Sequence, residues 1–208
     1  PRLEPGSKLI VVRTEEGPES VKARLISASR AVKIGRYESA LDIYKALYQE
    51  DRKNPDILMG VAVTLQRMER FDAAIAAYEE LLELRPNHID AKVNMLGLIS
   101  KRYPQVGLTR LQDLKNKHPD NLNVVAQLAV SYAQIGDINQ ALKYLGVAAS
   151  MQPQNPNHMF NMAVIADRAG QRKMAVRYYE QALELDSVYG GGRSLPRDII
   201  FKRLSRLR

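Results

Sequence analysis

The chain has 208 residues, of which 45% are hydrophobic and 26% charged, a composition that excludes a disordered, collagenous or coiled-coil class. The absence of cysteine removes disulfides, cysteine-ligated zinc and thiol nucleophiles at once, while leaving the redox compartment open. Thirty-one Lys and Arg against 23 Asp and Glu give a net charge of +8, which favours acidic partners, whether protein, nucleic acid or lipid.

Residues 1–17 contain Pro1, Pro5, Gly6, Gly17 and a β-prone patch, Leu9-Ile10-Val11-Val12, and fit no helix. They read as an arm, either disordered or docked on the first repeat or on a partner. The chain begins at Pro1 without methionine, so an anchor or address upstream is an expectation. No run approaches the roughly 18 apolar residues of a membrane span, and no signal-peptide pattern occurs.

From residue 18 the chain repeats itself. Tyr37 and Phe71 are 34 residues apart, and the same step carries Ala40 to Ala74, Tyr44 to Tyr78 and Leu47 to Leu81. It returns from Gly136 to Gly170, Ala141 to Ala175, Leu145 to Tyr179 and Ala148 to Ala182. Within each period lie two apolar stripes at helical spacing, such as Leu58-Val61-Ala62-Leu65 followed by Phe71-Ala74-Ile75-Tyr78. Gly35, Gly136 and Gly170 stand between the two helices, where positive φ turns the chain back. Pro86, Pro119 and Pro153 follow the second helix and stop it. This spacing predicts an all-α array over 18–189, with five helix–turn–helix repeats at 21–54, 55–88, 89–121, 122–155 and 156–189.

The third period is one residue short. Arg102-Tyr103-Pro104 replaces its glycine turn, Gly107 stands where the other second helices carry alanine, and Pro104 is expected at the first turn of the second helix. Either this repeat is a hinge between repeats 1–2 and 4–5, or it is degenerate and rigid. Gly190-Gly191-Gly192 predicts a flexible linker, and Ser194 then caps a helix in which Ile200, Leu204 and Leu207 share a face. Residues 193–208 hold six basic side chains, among them Arg197, Lys202, Arg203 and Arg206, against Asp198 alone. This segment, 190–208, is a cap for the last repeat or a contact for nucleic acid or an anionic membrane.

Small residues at the helix-packing positions (Ala28, Ala62, Ala129, Ala163, then Ala40, Ala74, Ala141, Ala175), an aromatic four residues on at Tyr44, Tyr78 and Tyr179, and the closing prolines carry a family resemblance. The chain resembles the tetratricopeptide repeat, and its short-turn, cysteine-free style is similar to bacterial members. The resemblance implies a right-handed α–α superhelix whose first helices line a concave groove for a partner segment. Laid on this sequence, the groove positions are Lys33, Arg67, Lys101, Gln134 and Arg168 at the ends of the first helices. Met59 and Phe160 then supply apolar contact, and Asn94, Gln127 and Asn161 supply hydrogen bonds. The four cations favour an acidic partner, or they are there because basic residues suit the carbonyl end of a helix. Members that clamp acidic chaperone tails use lysine and asparagine where this chain has Leu25, Ser29 and Gly60, so that reading does not carry over.

No zinc motif, nucleophile elbow or phosphate loop occurs, and His88, His118 and His158 fall at turns, where they read as surface residues. Neither enzyme activity, cofactor nor metal is expected. The expected role is a protein-binding scaffold for an acidic or amphipathic segment, by analogy within a bacterial secretion, pilus or envelope assembly. Association of the basic tail with nucleic acid or membrane, and self-association through the ends, are the alternatives. Cytoplasm and periplasm both remain open.

Overall fold

A computed structural model describes residues 20–208, and the arm at 1–17 with its Leu9–Val12 patch lies outside the described residues. Eleven α-helices are described: α1 (Val21–Lys33), α2 (Tyr37–Glu50), α3 (Pro55–Arg67), α4 (Phe71–Leu84), α5 (Ile89–Arg102), α6 (Pro104–Lys117), α7 (Leu122–Gln134), α8 (Ile138–Met151), α9 (Pro156–Arg168), α10 (Arg172–Tyr189) and α11 (Arg197–Leu207). No strand occurs among the described residues.

The helix starts show where the period is kept and where it gives. From each second helix to the next first helix the step is 18 residues throughout. From first to second helix it is 16 residues in four repeats and 15 in the third. There α5 runs one residue longer and Tyr103 alone joins it to α6, so the missing residue comes out of the turn inside the repeat. Pro104 opens α6, where an absent N–H costs nothing.

Each first helix begins with a side-chain cap. Ser20, Asn54, Asn121 and Asn155 accept from a backbone N–H of the first turn through oxygen, and His88 does so through Nδ1 from Ala91 N at 3.3 Å. His88 is therefore spent on helix initiation. Four of the first helices close with an N–H reaching back five residues (Arg36 to Ala31 O, Arg70 to Leu65 O, Asp137 to Tyr132 O, Gln171 to Ala166 O), the Schellman pattern. That pattern needs a left-handed residue, which Gly35, Gly136 and Gly170 supply at φ 79°, 81° and 72°. In the second repeat the residue is Glu69, at φ 59°.

The chain divides into two compact units, Pro1–Ala77 and Tyr78–Arg208, the boundary falling inside α4. In the first unit Ala28, Ala40 and Tyr44 form a core with Leu25, Val32, Ile43 and Val61 around it. Gly60 on α3 makes room for the Tyr44 ring, since a Cβ there would stand 2.2 Å from it. Thus Gly60 belongs to the packing of α2 against α3.

In the second unit, one cluster joins α5, α6 and α7 through Leu96, Leu108, Leu111, Val124 and Leu128 and reaches α8 at Ala141. A second joins α7, α8 and α9 through Ala129, Leu142, Leu145 and Met162. The third repeat therefore packs continuously with the fourth. Leu111 and Leu128 are fully buried, each contributing about 1.5–3 kcal/mol of transfer free energy. The eight alanines at the packing positions are also fully buried, which lets paired helices approach closely.

The last cluster packs α11 against the fifth repeat: Ile200, Leu204 and Leu195 lie with Ala175, Tyr179 and Ala182, and Leu207 flanks them. The glycine triplet is not a free linker, as its sequence suggested. The fully buried Asp186 carboxylate accepts from Ser194 N (3.0 Å), from the Ser194 hydroxyl and from Arg197 Nη1 (2.8 Å), while Gly190 N and Gly192 N both donate to Asp186 O. Gly191 and Gly192 take positive φ to close this turn. Ser194 is accordingly not the helix cap; Pro196 occupies that position, and the hydroxyl serves the buried carboxylate instead.

Candidate functional site

The first helices α7 and α9 enclose an open cavity of about 470 Å³. On α7, Ala126, Ala129, Val130 and Ala133 recur at helical spacing on one face, and their small size leaves the space. Opposite them α9 presents Val164 and Ile165, and α8 adds Ile138 and Leu145. The polar side chains of the lining are Gln134, Asn157, Asn161 and Arg168, all exposed, and the buried His158. Val130 is 47% exposed, an apolar side chain in contact with solvent where a ligand side chain would displace water.

A second cavity of about 330 Å³ lies between α9 and α11, lined by Phe160, Val164, Arg168, Tyr179, Ile199 and Lys202, with Asp167, Arg203 and Arg206. Val164 and Arg168 belong to both cavities, so the two meet across α9. Beneath the second, Arg203 grips Asp167 with two bonds, Nε to Oδ2 at 2.5 Å and Nη2 to Oδ1 at 2.8 Å, and Tyr179 Oη donates to Asp167 Oδ2 at 3.3 Å. The Arg203 bonds hold the Asp167 carboxyl below the usual carboxylate range, and the same pairing raises Arg203. The Asp186 carboxyl is lowered first by the Ser194 hydroxyl and then by Arg197.

Of the residues expected in the groove, Asn161, Gln134 and Arg168 meet in the first cavity, and Phe160 and Arg168 in the second. Phe160 also packs its ring on Tyr179, centroids 6.2 Å apart, and so is partly core. Gln127 sits over Gly97 of α5, where a Cβ would come within 2.9 Å of its amide, and belongs to the α5–α7 contact. Asn94 and Lys101 lie on α5, outside both cavities; Lys33, Met59 and Arg67 belong to the first unit. In the basic tail, Arg197 and Arg203 are engaged with buried or nearly buried carboxylates, whereas Lys202 and Arg206 line the second cavity.

His158 is not the surface residue its turn position suggested: it is 7% exposed, with Nε2 3.3 Å from Gln152 Oε1, because α9 starts at Pro156 and turns it inward. Burial pushes its pKa down. Sequence reasoning also missed Ile199, whose only signal was its position beside Lys202 on one side of α11. Among the described residues, no cluster of three His, Asp or Glu is placed to hold a metal ion, and no helix is long and apolar enough to cross a membrane.

Two family models described as tetratricopeptide repeat match residues 31–97 and 70–187. The chain belongs to the tetratricopeptide-repeat family. The mouse interferon-induced protein with tetratricopeptide repeats 3 is 26% identical over 121 residues, which is 56% of this chain and 30% of that protein. The chain thus spans less than a third of that relative's length. Among solved structures, the thermophilic tetratricopeptide protein TTC0263 of Thermus thermophilus superposes with a TM-score of 0.71 at 20% identity, covering 84% of this chain and 99% of that one. The type IV pilus biogenesis factor PilW superposes with a TM-score of 0.69 at 17% identity, covering 89% and 84%. These likenesses establish the fold, and a tetratricopeptide array is a protein-interaction scaffold.

Proposed function

We propose that this tetratricopeptide array holds a partner protein by an apolar segment seated between α7 and α9. The observation that carries the reading is the shape and lining of the 470 Å³ cavity: apolar walls left open by alanines, ringed by Gln134, Asn157, Asn161 and Arg168. Apolar burial supplies the affinity, and the side-chain amides fix a peptide backbone that would otherwise lose its hydrogen bonds on leaving water. Service in a bacterial secretion, pilus or envelope assembly is the finer part of the proposal. PilW, a pilus biogenesis factor of the same fold, supports it by analogy alone.

The test is a pulldown from the source cell, comparing the wild type with Val130→Glu and Val164→Glu, each checked by circular dichroism for retained helix. Both side chains face the cavity, so a carboxylate there should abolish capture of the partners that the wild type retains. Unchanged capture would refute the groove.

The alternative, tail-mediated binding of nucleic acid or an anionic membrane, is weakened by the pairing of Arg197 and Arg203 with Asp186 and Asp167, which leaves Lys202 and Arg206 of those four for a polyanion. Such binding would weaken steeply with salt.

A further inference from the structure

We infer that the α9–α11 end of this groove is a carboxylate-recognition site, in which Arg168, Lys202 and Arg206 receive a pair of acidic side chains adjacent to the apolar anchor of the partner segment. The inference rests on the groove reading and adds the chemistry of the ligand's second half.

Charge balance is the first argument. Of the cations around the second cavity, Arg203 is neutralised by both oxygens of Asp167. Arg168, Lys202 and Arg206 line the same cavity, are exposed, and form no salt bridge among the described residues. Asp167 is the sole acid in the lining, and Arg203 already occupies it. Three positive charges therefore face one small space whose lining offers no unpaired acid, the nearest on α11 being Asp198, one turn before Lys202 and outside the lining.

The surroundings are the second argument. Phe160, Val164 and Ile199 give the cavity a low-dielectric wall, against which a charge pair attracts more strongly than in open water. Lys202 and Arg206 are four residues apart on α11, hence neighbours on one face, and across the cavity Arg168 ends α9. This spread suits two carboxylates better than one. The Arg203–Asp167 fork and the buried Ile200 and Leu204 hold α11 in place, so the helix that carries Lys202 and Arg206 is set against the groove before a ligand arrives. Continuity is the third argument: Val164 and Arg168 line both cavities, so a segment with an apolar side chain between α7 and α9 brings its next residues to these cations. A basic residue at a helix end does suit the dipole, and Arg168 and Arg206 stand in the last turns of α9 and α11, but Lys202 lies in the middle of its helix, where the dipole gives no reason for a cation.

The experiment uses the full chain and a peptide labelled at its amino end, fluoresceinyl-Ala-Leu-Ala-Leu-Asp-Glu-Asp-Glu-amide, followed by anisotropy at low and physiological salt. A second peptide carries Asn and Gln in place of the acids. Single changes Arg168→Gln, Lys202→Gln and Arg206→Gln should each weaken the acidic peptide about 2- to 5-fold, and the triple change about tenfold or more. The amide peptide should bind the wild type and the triple variant equally. Equal binding of the two peptides by the wild type, both lost in Val164→Glu, would overturn the carboxylate site and leave the groove standing. Failure to bind either peptide, or indifference to Val164→Glu, would overturn both. An oligothymidylate that binds through the same three cations and ignores Val164→Glu would assign them to nucleic acid and overturn the inference.

Discussion

Gly107 stands where the other four second helices carry a fully buried alanine: Ala40, Ala74, Ala141 and Ala175. Restoring that alanine looks like an improvement, since glycine inside a helix costs about 0.5–1 kcal/mol relative to alanine. The structure reverses the expectation. A Cβ on Gly107 would stand 2.0 Å from Ser100 Oγ and 2.9 Å from Ser100 Cα and Cβ, and Ser100 is itself buried, its hydroxyl donating to Leu96 O at 2.8 Å. Overpacking of this kind costs about 1–3 kcal/mol, so Gly107→Ala should destabilise by about 1–2 kcal/mol net. Ser100→Gly alone should also destabilise, through the lost hydrogen bond and the added glycine, by about 1–2 kcal/mol. In the double variant the clash with Oγ and Cβ is gone, so the combined loss should fall short of the sum by about 1 kcal/mol or more. Urea unfolding followed by circular dichroism measures these values, with hydrogen exchange of the α5 and α6 amides reporting the local effect, since repeat arrays need not unfold in one step. A neutral or stabilising Gly107→Ala, or strict additivity in the double variant, would refute the reasoning.

Glu69 holds a left-handed backbone conformation that costs a residue with a Cβ about 1–2 kcal/mol, and its side chain is exposed, with no ion pair to offset this among the described residues. Glu69→Gly should stabilise by about 0.5–1 kcal/mol after allowing for the freer unfolded chain, whereas Gly35→Glu should destabilise, both read from thermal midpoints. His158 is buried and its pKa lowered, so the unfolded chain binds a proton more readily than the folded one. Its contribution is complete above the unfolded value near 6.5 and declines as pH falls below it. The thermal midpoint of His158→Asn should therefore fall less than that of the wild type between about pH 7.5 and 5.5.

The array was legible because its signals are local and repeat. The 34-residue step, the glycines at 35, 136 and 170 and the prolines two residues past the ends of α4, α6 and α8 all act within a few residues of where they stand. Glu69 shows the limit of reading by residue type: the step from Gly35 lands on it, but glutamate does not announce a left-handed conformation. The turn on Asp186 was hidden because a buried acid that collects Ser194 and Arg197 eight and eleven residues on has no motif of its own. In the candidate site, Asn161 and Arg168, expected in the groove from the family resemblance, both line the cavity between α7 and α9. The merging of groove and basic tail could not be read, because Asp167 and Arg203 meet across 36 residues and only that meeting separates neutralised arginines from the cations facing the cavity.

The unequal steps between helices bear on how such a chain can be altered. The 18-residue link between hairpins is invariant, and the one deletion falls inside a hairpin, at Tyr103. Shortening a hairpin's own bend is answered locally, by one added residue of helix in α5, whereas a change in the link would re-aim every helix after it. Grafts or insertions meant to leave the α7–α9 walls intact belong at 34–36 and 68–70, and those bends are also the natural places for attaching a reporter.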